Sequence, residues 1–188
     1  METKRLTNKV VTIETPRLLL RPLEWQDFDA YAKNAADADA NRYLGGPQSR
    51  PVAWRGFMTM AGAWHLQGVS MFSVLLKETN KWIGRVGPWQ PEGWPGTEVG
   101  WGISRAFWKQ GFATEAAAAT IDWAFENLGW DDVVHTIDPR NHASIMVAQK
   151  LGASNRGRGR LPAPYENVTV DIWGQSREQW AARSAQPA

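Results

Sequence analysis

The sequence contains no cysteine. That excludes disulfide staples, thiolate metal sites and cysteine nucleophiles. Histidine is scarce as well. His65, His135 and His142 show no ligand spacing, so no metal is expected. No apolar run reaches the roughly 18 residues that a membrane span needs. No apolar signal-peptide core follows Met1 to Lys9. The expectation is a cytoplasmic protein without a membrane partner. Neither sign of charge prevails: 21 basic against 19 acidic side chains leave a net +2, too little to argue for nucleic acid. Glycine and proline, 17 and 11 of 188 residues, fall well short of low-complexity composition.

What is present describes one folded unit. Hydrophobic residues make up 43% and charged residues 21%, ordinary globular values. A single domain over 1–188 is expected, with flexible ends at 1–9 and 181–188. The outlier is tryptophan, with 12 residues.

Strand and helix signals alternate along the chain. Val10 to Ile13 and Leu18 to Arg21 read as one strand interrupted by Pro16. Helices follow from Leu23 to about Ala36 and from Pro51 to Leu66, the second stopped by Gly68. Met71 to Lys77 and Lys81 to Pro88 form a hairpin pattern around Glu78-Thr79-Asn80. Glu98 to Ser104 is a short strand. Its internal glycines, Gly100 and Gly102, suggest a bulge or the close approach of another backbone or a ligand. Gly111 to Asn127 is the clearest helix, Asp132 to Asp138 a strand, Asn141 the cap of a helix to Leu151, and Val168 to Trp173 a last strand. The order βααβββαβαβ predicts a mixed α/β sheet flanked by helices.

The chemistry concentrates between Glu98 and Ala117. A strand ends at Ile103, a turn follows, and Lys109-Gln110-Gly111-Phe112-Ala113 enters the long helix. Small residues at a helix N-terminus leave backbone N–H groups to face an anion, so this is a candidate phosphate cradle. It lacks the Gly-Lys-[Ser/Thr] of a Walker loop and is no GxGxxG motif. An ordinary strand-to-helix turn would look the same.

Four stretches together resemble the GNAT N-acetyltransferase family, and within it the RimJ/RimL-like branch. Trp108-Lys-Gln-Gly111-Phe-Ala113-Thr-Glu115-Ala116 is similar to its pyrophosphate motif. Asn141-His-Ala-Ser144 with Lys150-Leu151-Gly152 resembles its later helix, Thr15-Pro-Arg17-Leu-Leu-Leu-Arg21-Pro its opening, and Glu98-Val-Gly100-Trp101 its cofactor strand. Three positions depart. Lys109 replaces the first glycine of the cradle, Ala153 replaces a phenylalanine, and Ala148 stands where many relatives outside the branch carry a tyrosine acid.

The resemblance implies the GNAT fold, with a splayed pair of parallel strands, Glu98–Ile103 and Val133–Asp138, forming an acetyl-CoA cleft. It implies acetyl-CoA as cosubstrate and a primary amine as acceptor, either a peptide N-terminus or a small molecule. The backbone of Trp101, Gly102 and Ile103 would meet the pantetheine. The stretch from Trp108 through Lys109, Gln110, Gly111, Phe112 and Ala113 to Thr114 would hold the pyrophosphate. Glu98 is the candidate base, directly or through water, and otherwise a solvated edge carboxylate. Ser144 is the candidate hydrogen-bond donor to the CoA sulfur, and otherwise an ordinary first-turn serine. Asn141 serves as cap and as a possible pantetheine contact. Such relatives are monomers or homodimers. A catalytically silent CoA-binding sensor is the alternative reading.

Two features stay open at this level. Trp54, Trp64, Trp82, Trp89, Trp94, Trp101 and Trp108 either line an acceptor cleft that attracts an ammonium or fill the core, with Trp54 and Trp94 as the candidate substrate contacts. Arg156-Gly-Arg158-Gly-Arg160 either docks an acidic or ribosomal target, with all three arginines on one face of a strand, or is solvated.

Overall fold

The computed structural model describes residues 11–184. Of the expected flexible ends at 1–9 and 181–188, residues 1–9 and 185–188 lie outside the described residues, as does Val10, and residues 181–184 belong to the last turns of a helix.

The chain begins with strands β1 (Ile13–Glu14) and β2 (Leu18–Arg21), then helices α1 (Phe28–Ala35), α2 (Ala38–Asn41) and α3 (Arg50–Gln67). Strands β3 (Phe72–Leu76), β4 (Lys81–Trp89) and β5 (Glu98–Ile103) follow, then α4 (Phe112–Asn127), β6 (Asp132–Ile137) and α5 (His142–Lys150). Strands β7 (Ser154–Gly159) and β8 (Val170–Ser176) and helix α6 (Arg177–Ser184) complete it. All eight strands join one mixed sheet in the order β1-β2-β3-β4-β5-β6-β8-β7.

The expected single opening strand is two antiparallel strands. Pro16 lies in the turn between them, and Thr15 closes that turn by accepting the Leu18 N–H on its hydroxyl at 2.9 Å. Helix α3 ends at Gly68, whose φ of 73° is the left-handed stop that glycine permits.

The sheet buries a different helix layer on each face. Helix α4 sets Ala116, Ala117, Ile121 and Phe125 against Leu20, Val74, Ile83 and Val99. Ala119 and Trp123 of the same helix are only half-buried. On the opposite face α1 offers Phe28, Tyr31, Ala32 and Ala35, at helical spacing. They meet Ala53, Phe57 and Met60 of α3 over Met71 and Trp82.

The basic run does not form one face. The β7–β8 register shifts between Asn155 and Arg158, and Gly157 takes a φ of 102°. Arg156 therefore lies over Gly174 and pairs with Asp132 through two bonds of 2.7 Å. Arg158 pairs with its cross-strand partner Asp171 on the other face. The bulge separates these two arginines, and each has a carboxylate.

One buried ion pair ties the layers together. Arg21 of β2 reaches Asp27 through bonds of 2.7 and 2.9 Å, and Asp27 also accepts from Ser73 of β3 and from the Glu24 N–H. Removing one member strands the other charge in the interior. Asp27→Ala is expected to cost about 3–5 kcal/mol of unfolding free energy in urea titrations. A loss below about 1 kcal/mol would show that water reaches this pair and screens it.

Candidate active site

The sheet is nearly broken between β5 and β6. Their parallel pairing holds at one register pair, Glu98 and Val134, beside a 3.0 Å bond from the Val134 N–H to the Thr97 carbonyl. Beyond it a side chain takes over, and His135 Nδ1 meets the Val99 carbonyl at 2.7 Å. Backbone polar groups alternate sides along a strand. The groups of Trp101 and Ile103 therefore point into the same gap as those of Thr97 and Val99. The Trp101 indole leans on the His135 ring, centroids 4.8 Å apart, and helps hold the strands open.

The gap leads into a cavity of about 290 Å³ whose walls come from β4, β5, β6, α1, α3, α5 and the 90–96 loop. Glu98 sits at the foot of the split. It is buried, and Thr136 donates to it through its backbone N–H at 3.2 Å and its hydroxyl at 2.9 Å. The Trp94 indole N–H donates to Oε2, the oxygen that also takes the Thr136 hydroxyl. Burial pushes its pKa up to about 7, against these hydrogen bonds and the positive charge of Arg85.

Across the gap α5 brings Asn141 and Ser144. Asn141 caps the helix, its Oδ1 accepting the Ser144 N–H at 3.2 Å. The Ser144 hydroxyl accepts from the Trp101 indole at 3.2 Å, which leaves its proton available to another acceptor. Ala148 is fully buried against Ile137, Ala153 and Trp173, so that position holds core. Yet all three tyrosines of the chain, Tyr31, Tyr43 and Tyr165, line the cavity.

The cradle lies outside the cavity, at the exposed start of α4. Gly111 caps the helix at φ 83° with no side-chain cap, so the N–H groups of Phe112, Ala113 and Thr114 have no partner among the described residues. Lys109 adopts a φ of 61°, the left-handed conformation for which glycine is ordinarily used. The Phe112 side chain is core, and Gln110 is exposed with its carbonyl accepting from Arg17 at 3.0 Å. Arg17 also grips Glu115, fixing the opening turn to the helix start. Trp108 donates to the Ile103 carbonyl at 2.7 Å and pins the turn to the end of β5.

The tryptophans divide between the two readings. Trp89, Trp94 and Trp101 line the cavity. Trp82, Trp173 and Trp180 are buried, and Trp64 and Trp123 pack against the core. Trp54 is 45% exposed and does not line the cavity, where α3 presents Gly56, Thr59 and Met60 instead. Sequence reasoning missed Arg85, Thr136 and Tyr31. The signal that could have found Arg85 was the glycine pair in β5. A Cβ on Gly100 would stand 2.8 Å from Met71 Cε, and one on Gly102 would stand 3.9 Å from the Arg85 stem.

Comparison with known proteins matches residues 17–154 to an acetyltransferase (GNAT) domain. The uncharacterized N-acetyltransferase p20 of Bacillus licheniformis is 30% identical over 165 residues, 86% of this chain and 93% of that protein. An acetyltransferase from Agrobacterium tumefaciens superposes with a TM-score of 0.78 at 30% identity, over 93% of this chain and 99% of its own. A GNAT-family acetyltransferase from Bacillus anthracis gives 0.74 at 25% identity, over 89% and 99%.

Glu98 and His135 titrate in opposite senses. The folded chain holds the Glu98 proton from the ordinary 4.5 up to about 7, so this group's stabilising contribution is lost as pH rises through that window. Burial lowers His135 from 6.5 to about 4, so the unfolded chain binds that proton first and stability is gained as pH rises from 4 to 6.5. At about 1.4 kcal/mol per pH unit, each contributes about 3 kcal/mol, and the slopes largely cancel. Glu98→Gln is expected to gain up to about 3 kcal/mol on the wild type between pH 4.5 and 7. Denaturation curves that stay parallel across that range would return Glu98 to an ordinary carboxylate.

Proposed function

The chain belongs to the GNAT acetyltransferase family, and from that premise we propose that it transfers an acetyl group from acetyl-CoA to a primary amine by direct attack, with Glu98 as base. The observation that carries the reading is a buried carboxylate, its pKa near 7, at the foot of the split and facing the cavity. A group of that pKa is half-ionised at neutral pH, where a general base works best.

Acetyl-CoA would supply the acetyl group as a thioester. The fit rests on the N–H groups that Phe112, Ala113 and Thr114 leave unpaired, which suit a pyrophosphate, and on Lys109 beside them. Glu98 takes one proton of the ammonium. The freed nitrogen forms its bond to the carbonyl carbon, the carbon–sulfur bond breaks with its electron pair leaving on sulfur, and the second proton shed by the nitrogen passes to that sulfur, giving amide and thiol. The gap-facing N–H groups of β5 supply dipoles for the oxygen that gains charge. The Ser144 hydroxyl is the donor at hand for the departing sulfur. An α-amine, with pKa about 8, is an easier partner for this base than a lysine at about 10.4. That favours a peptide N-terminus or a small α-amine. Tyr31, Tyr43 and Tyr165 supply phenols to a site whose usual tyrosine position is Ala148.

Two measurements test the reading. Glu98→Gln is expected to lower kcat about 10²–10⁴-fold in a thiol-release assay, with acetyl-CoA affinity by calorimetry unchanged. The wild-type kcat/KM is expected to rise through a limb near pH 7 that the variant lacks. A variant with full kcat and the same limb would remove Glu98 from the role.

A further inference from the structure

We propose that the acceptor is a small amine that also carries an oxyanion, a carboxylate in the first instance, and that Arg85 holds it. This rests on the acetyl-transfer reading and names the substrate class of that site.

Strand β4 sets Arg85 directly opposite Gly102 of β5, on the sheet face that also carries Glu98 and Gly100. Gly102 has no side chain, so the Arg85 stem lies down over it, and Met71 lies over Gly100 in the same way. These two side chains fill the space that the glycines leave, and they bring the guanidinium onto the face of β5 that carries Glu98. Both charged groups, the two ends of the site, line the cavity.

The guanidinium has five donors and is half-buried, yet its recorded contact is the thioether of Met71, a weak acceptor. Among the described residues no carboxylate pairs with it. The acids nearby are committed elsewhere: Glu98 to Trp94 and Thr136, Asp138 to Arg140. The remaining donors of Arg85 face the cavity, where a ligand oxyanion can take the place of water. Its planar fork matches a carboxylate through two parallel bonds.

The charge pattern selects further. A polyamine or aminoglycoside would bring extra positive charge against Arg85. A zwitterion matches both ends, its ammonium toward Glu98 and its oxyanion toward Arg85. Size points the same way. A cavity of about 290 Å³ is at the lower end for ligand sites, and the thioester end must share it. A free amino acid fits that space better than a folded protein surface.

The test uses the full chain and matched pairs of amines: α-amino acids and their carboxamides, with aminoalkyl phosphonates to separate carboxylate from phosphate-like oxyanions. The expected result in thiol release is a kcat/KM for the acid about 10- to 100-fold above that of its amide. Arg85→Met is expected to bring the ratio to about one by raising KM for the acid, with the acetyl-CoA KM unchanged. In parallel, calorimetry with an N-acetyl amino acid and its amide should show the same preference, lost in Arg85→Met, without any turnover. Equal rates for acid and amide, or a preference that survives Arg85→Met, would overturn the inference and leave acetyl transfer standing. So would a variant that only displaces the pH profile for every amine, since Arg85 would then serve Glu98 alone. If no amine releases thiol, the transfer reading fails, and the calorimetric arm still decides whether Arg85 holds a carboxylate.

Discussion

The site depends on a ladder that stops. Strands β5 and β6 share one register pair, at Glu98 and Val134, and then part. Backbone donors and acceptors left unpaired inside a sheet are costly, so the parting needs support. His135 supplies part of it by bonding the Val99 carbonyl with its own ring, and Trp101 fills the space beside that ring. The remaining groups of β5 face a gap where a ligand can use them. The two helix layers, each packed against its own sheet face, hold the arrangement from outside.

Most of the fold was legible because its signals are local. Glycine stops, the Asn141 cap and the alternation of the β3–β4 hairpin act over a few residues, and the expected elements stand within a few positions of where the sequence puts them, while the short helices α2 and α6 were not expected. The misses share a cause. The turn at Thr15 and the bulge at Gly157 are settled by hydrogen bonds and register, which composition does not display. The bulge matters most, since it turns an apparent basic stripe into two separately neutralised arginines.

The site was legible where its residues lie in sequence blocks. Glu98, Trp94, Trp101, Asn141 and Ser144 all reach one cavity. Trp54 does not, because α3 turns that side of the helix to solvent. Arg85 and Thr136 were invisible because each matters only through a partner on a neighbouring strand: Gly102 for one, Glu98 for the other. The β5 glycines carried the clue in negative form. They showed that something comes close, and only the cross-strand register shows that it is Met71 and Arg85.

The single pair at Glu98 and Val134 also has a mechanical meaning. With one backbone register pair, the sheet is two leaves, β1 to β5 on one side and β6 to β8 on the other. Farther along the seam the ties are side chains: His135 on the Val99 carbonyl and the Trp101 indole on the Ser144 hydroxyl. A side chain can change its partner by rotating about its own bonds, which a backbone ladder cannot do. The seam is therefore adjustable at the mouth and fixed at the carboxylate.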